Sequence, residues 1–172
     1  MKRGPFFLIA ASALILTGPN PAGTQTLETA VTEADRAALV SCLRESPEAP
    51  RACIGSIAVV CAGQARGDRR EAEIDCSRRE AAVWRERLET AARALAPRLE
   101  PGARSRFVAV QRSWESYAAQ KCAFMADVQT AARAPTMQAG CALSEVAGRA
   151  LDVERLARSQ AQGDRNRPRL ER

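Results

Sequence analysis

Apolar residues in this chain recur mostly at intervals of three and four, the spacing that lines one side of an α-helix. The clearest run is Ala81, Trp84, Leu88, Ala91 and Leu95, flanked by Arg78, Arg85, Glu86, Arg87 and Glu89. It predicts a long helix from a cap at Asp68, with Glu71 at the third position, to about Leu99, apolar on one side and solvated on the other. After a break at Pro101-Gly102, the series Phe107, Val110, Trp114, Tyr117 and Lys121 predicts a second long helix. Leu143, Val146, Ala150, Val153 and Leu156 predict a third, from Cys141 to about Ser159.

Two shorter helices precede these. Thr32, with Asp35 three residues on, is a capping pair for a helix that points Leu39, Cys42 and Leu43 inward and ends at Ser46-Pro47. Pro50 then stands near the start of a segment in which Ile54, Ile57, Ala58 and Cys61 share a helical side, with Gly63 and Gly67 marking its end. The IAVV stretch alone suits a strand, but the longer spacing favours helix. Between Cys122 and Cys141, Ala134, Pro135 and Gly140 interrupt the period. A connector over Asp127 to Gly140 is therefore expected to turn the chain back. Residues 160–172, QAQGDRNRPRLER, read as a disordered polar tail.

Composition narrows the class. Alanine is abundant, only one Tyr and two Trp occur, and β-branched residues are too scattered to build several strands. The expected fold is all-α, a small disulfide-stapled bundle of about five helices arranged as consecutive helical hairpins, in a single domain over residues 24–159.

The N-terminus changes the expected compartment. Lys2 and Arg3 precede an apolar run from Phe6 to Leu16, followed by Gly18, Pro19 and small residues, which is the layout of a cleaved secretory signal peptide over residues 1–23. That run is too short for a spanning helix, which needs about 20 apolar residues. Export to the periplasm or beyond is expected, with Thr24 to about Val31 an extended arm or frayed turn and no membrane span after the leader. All six cysteines, Cys42, Cys53, Cys61, Cys76, Cys122 and Cys141, lie beyond the leader, and an even count in an exported chain points to disulfides. Helical hairpins would bring Cys42 level with Cys53 and Cys61 level with Cys76, with Cys122–Cys141 as the third pair. Spacing alone does not fix the connectivity among the first four.

Charge and chemistry then exclude more than they select. Loss of Lys2 and Arg3 with the leader takes the formal charge from +6 to +4, a mild basicity interspersed with acids that disfavours nucleic acid as a partner. With no His, no C-x-x-C pair and no glycine-rich phosphate loop, nothing in the chain supports a catalytic, metal or cofactor site, and the protein is read as a non-enzyme. Trp84 and Trp114 lie on apolar seams and are read as core, and the Tyr117 ring fits the same seam. Glu80, four residues from both Cys76 and Trp84, is read as a structural acid that bonds an arginine or a helix end.

The pattern resembles the bacterial envelope family named for the lysozyme inhibitor LprI. Its carriers are Cys53-Ile54-Gly55, the spacing Cys76, Glu80, Trp84, then Gln111, Trp114, Tyr117 and Cys122, and finally Cys141 with Arg149-Ala150-Leu151, across about residues 42–156. The resemblance implies a stapled helical fold with a Cys122–Cys141 bridge, a core built on Trp84, Trp114 and Tyr117, and an exported protein that binds a lysozyme-like muramidase or another envelope protein. Three places depart from the family pattern. Ala118-Ala119 stand where relatives often carry Arg-Asp, Ala134-Pro135-Thr136 where they carry Gly-Gly-Ser/Thr, and Val146 where Thr is common. Since loops on a rigid scaffold commonly carry contacts, the connector is the expected recognition surface, through Asp127, Arg133, Thr136 and Met137. The competing expectation is a structural or assembly module of the envelope that binds anionic surfaces through its arginine faces and its tail, all but two of the 26 basic residues being Arg.

Overall fold

The computed structural model describes residues 31–166, so the expected leader (1–23), residues 24–30 of the arm and the last six residues of the tail lie outside the described part. The described residues form five α-helices and no strand. Helix α1 spans Glu33–Glu45 and opens with a capping box in which the Thr32 hydroxyl accepts from the Asp35 amide while the Asp35 carboxylate accepts from the Thr32 amide. A 3₁₀ turn at Pro50–Cys53 follows, then α2 at Ser56–Gln64, α3 at Arg69–Leu95, a second 3₁₀ turn at Ala96–Arg98, α4 at Pro101–Asp127 and α5 at Ala134–Asn166. Asp68 caps α3, accepting from the amides of Arg70 and Glu71.

Helices α3 and α5 make the largest interface and form the trunk of the molecule. Val83, Trp84, Leu88, Ala91 and Leu95 from α3 meet Leu143, Val146, Ala147, Ala150, Leu151 and Val153 from α5, all buried. Alanines at positions 147 and 150 let the two backbones approach closely where larger side chains would hold them apart. The short α1 and α2 add Leu39, Ile57 and Ala58 to the same core. Helix α4 docks mainly on α5 and buries only Cys122 and Ala126 fully.

Disulfides join Cys42 to Cys53, Cys61 to Cys76 and Cys122 to Cys141, and no described cysteine is free. Each ties one element to the next along the chain: α1 to the turn before α2, α2 to α3, and α4 to α5.

The structure corrects several expected boundaries and placements. Pro50 opens a 3₁₀ turn rather than a helix, and Gly55, at φ 97°, takes a left-handed conformation that ends the turn before α2 begins. Helix α5 starts at Ala134, so the connector shrinks to residues 128–133 and Thr136, Met137 and Gly140 are helical. Pro135 sits in the first turn, where its missing amide proton costs no hydrogen bond, and one glycine inside a long helix costs only about 1 kcal/mol. Residues 160–166, expected as disordered tail, continue α5, with Asp164 held by Arg98 at 2.9 Å. Leu156, expected inward, is about half exposed.

Tyr117 is the most instructive correction: it is 58% exposed rather than in the core. The seam of α4 runs through Phe107, Gln111, Trp114, Ala118, Cys122 and Ala126, not through Val110, Tyr117 and Lys121. The Cys122–Cys141 bond sets the rotation of the helix, and the small Ala118 and Ala126 fit against α5 where a tyrosine ring would not.

Candidate binding groove

Two helix N-termini and the connector converge on one side of the trunk. The start of α3 supplies Asp68, Arg69, Arg70 and Glu73, and the connector and first turns of α5 supply Arg133, Thr136, Met137 and Gly140. Between them lies an open cleft of about 640 Å³. A second cleft, of about 450 Å³, shares Arg69, Glu73, Thr136 and Gly140 with the first and extends to Ala58, Val59 and Ala62 of α2. The two form one groove from the connector across α3 to α2, ending at Val59, whose side chain is 73% exposed.

The charges in the groove are mixed. Arg69 and Glu73 pair across one helical turn at 3.1 Å and form the rib between the clefts. The Asp68 carboxyl is held below its ordinary range first by the amide of Glu71 and then by that of Arg70, so it stays ionised at the rim. Among the described residues, no carboxylate pairs with Arg70 or Arg133. The groove thus offers an apolar floor, two arginines with donors to spare, and two carboxylates. Such a lining suits a protein surface, with apolar burial for affinity and charge for register.

Of the four connector residues singled out from the sequence, Arg133, Thr136 and Met137 line this groove and Asp127 does not. Asp127 closes α4 on the exposed side. Sequence reasoning missed Asp68, Arg69, Arg70 and Val59. The Gly67 turn, at φ 107°, and the charged start of α3 were visible, but nothing local says that they meet a segment 60-odd residues away.

The three aromatic positions separate. Trp84 is fully buried, and its indole donates to Glu80 at 3.0 Å. Trp114 is half-buried against the core, with the Arg149 guanidinium 5.9 Å from its ring centre and Arg149 donating to Gln111 at 2.6 Å. Tyr117 faces out. Glu80, also fully buried, accepts from the amides of Gly55, Ile57 and Ala58 at the start of α2, at 2.7, 3.0 and 2.8 Å. Of the two partners expected for it, the helix end is the one it holds.

Two of the three departures from the resemblance meet in space. Ala118, Ala119 and Val146 line a cleft of about 350 Å³ beside Trp114. It lies between the Arg85–Glu115 pair at 3.5 Å and the Lys121–Glu145 pair at 2.6 Å. Polar residues at these positions would give that cleft a polar floor; here it is apolar. The third departure, Ala134 to Thr136, opens α5 beside the groove.

Among the described residues, no group of three or more Cys, Asp or Glu is arranged to hold a metal ion, and no helix is long and apolar enough to cross a membrane. These features define a class first: an all-helical, disulfide-stapled scaffold that carries an open groove. Residues 61–153, more than half of the chain, match the family described as lysozyme inhibitor LprI, and the chain belongs to that family. Neither a curated protein nor a solved structure matches it.

Proposed function

We propose that this is an exported, non-enzymatic binding protein that holds a partner protein of the cell envelope in the groove between α3, α5 and α2, with a lysozyme-like muramidase as the leading candidate. Family membership carries this reading. Three disulfides and the leader-like N-terminus support an oxidising compartment outside the cytoplasm. A net basic chain gains no long-range steering towards a cationic enzyme, so recognition rests on short-range fit in the mixed-charge groove. The anionic-surface reading has less free charge to draw on than composition suggested. Arg36, Arg51, Arg79, Arg85, Arg87 and Arg98, among others, are engaged by the chain's own carboxylates.

The test is inhibition of a panel of muramidases by the oxidised protein, paired with capture from envelope extract. Slowed lysis is expected for at least one enzyme. Replacing both Arg133→Glu and Met137→Asp is expected to weaken inhibition at least about tenfold while the helical circular-dichroism signal is kept. Absence of inhibition across the panel sinks the muramidase assignment. Binding that disappears on raising the salt and is indifferent to these two substitutions supports the anionic-surface reading instead.

A further inference from the structure

Helix α4 presents to solvent a second apolar feature that the groove does not use. Val110, Tyr117 and Phe124 are 51%, 58% and 63% exposed. They follow one another at intervals of seven residues, so at 3.6 residues per turn they fall within roughly 40° of one another around the helix. A stripe repeating every seven residues is the pattern by which one helix packs along another, rather than a flat patch. Ser113 and Gln120 lie beside it without charge, and Lys121, along its edge, is met by Glu145 at 2.6 Å. The half-buried Phe107 and Trp114 continue the apolar surface towards α5.

Charge selects the occupant and its direction. The stripe is bounded by Arg106 at the N-terminal end and by Asp127 at the C-terminal end, both exposed. We infer that the stripe is a homodimer seam, on which α4 of a second copy packs antiparallel, centred on Tyr117. In that register Val110 meets Phe124 of the other copy, Tyr117 meets its equivalent, and Arg106 at each end lies beside Asp127 of the other chain. A parallel pairing would instead set Arg106 against Arg106 and Asp127 against Asp127. The antiparallel arrangement also opposes the two helix dipoles favourably. The groove lies outside this stripe, so dimerisation leaves the proposed partner site free.

The test is sedimentation equilibrium of the full chain, produced with its leader in an oxidising compartment and purified with its disulfides intact. A dimer mass is expected in the micromolar range, and Phe124→Glu is expected to give a monomer with an unchanged circular-dichroism spectrum, since that side chain is not in the core. Val59→Glu, at a still more exposed valine on α2, is expected to leave the dimer intact. Arg106→Glu is expected to weaken association about three- to tenfold by placing two like-charge pairs at the ends, and Arg106→Glu with Asp127→Arg to restore it. A wild-type protein that stays monomeric to roughly 200 µM overturns the inference, as does a dimer insensitive to Phe124→Glu. A double charge reversal that fails to restore association overturns the antiparallel register.

Discussion

Glu80 sits fully buried at the centre of the molecule, and four donors satisfy it: three amides at the start of α2 and the Trp84 indole. A helix start leaves its first amides without partners, and a carboxylate placed there satisfies them while meeting the positive end of the helix dipole. Gly55 makes the arrangement possible, because its left-handed backbone aims its own amide at Glu80. The acid from α3 therefore caps α2, which begins at Ser56. Replacing it by glutamine keeps one acceptor but turns an amide group towards donors. We expect Glu80→Gln to lower stability by about 2–4 kcal/mol, read as a shift in urea midpoint. Glu86→Gln, which breaks a half-exposed pair with Arg36, is expected to cost at most about 1 kcal/mol. Equal shifts for the two would show that Glu80 is not the anchor.

At the scale of elements, α1 is fastened to α3 by a clamp. Arg79 donates to both oxygens of Asp35, at 2.8 and 2.7 Å, and Thr32 donates from its hydroxyl and its amide. Burial pushes the Asp35 carboxyl up, but the bonds from Arg79 and Thr32 together outweigh it and hold it below its ordinary value of 3.8. A carboxyl depressed in the folded state stabilises the fold above its unfolded value, and that contribution is lost as the pH falls through the folded one. The stability advantage of the wild type over Asp35→Asn is therefore expected to be full at about pH 5 and to shrink towards about pH 2. A constant difference across that window would show that the clamp is not ionic.

The capping pair that opens α1 and the cap at Asp68 were legible from residue types, because caps use neighbours three residues apart. The rotation of α4 was not. Spacings of three and four allow two adjacent faces, and only the bond to Cys141, with the small residues beside it, selects the one through Ala118 and Cys122. Pro135 misled for a related reason. A proline breaks a helix interior but fits a first turn, and which of these it occupies depends on where α5 meets α3.

The whole molecule is held by three short covalent loops, with partners 11, 15 and 19 residues apart, around a core in which alanine is frequent. The chain-entropy model gives roughly 3 kcal/mol for a loop of about 15 residues, so together the three links are comparable to the whole stability of a small domain. Reduction at neutral pH is expected to abolish most of the helical circular-dichroism signal. Its full retention would place the stability in the α3–α5 interface alone.

What the sequence determined by itself is what depends on near neighbours: helical period, caps, the glycine turns, and cysteines spaced to bridge one element to the next. The tertiary structure alone decided which elements are partners. Helices α3 and α5, separated in the chain by all of α4, form the trunk, and that pairing brings Arg70 and Arg133 to one cleft. Helical spacing specifies a face but not what lies against it, and that choice is made by the summed packing of the core over the entire chain.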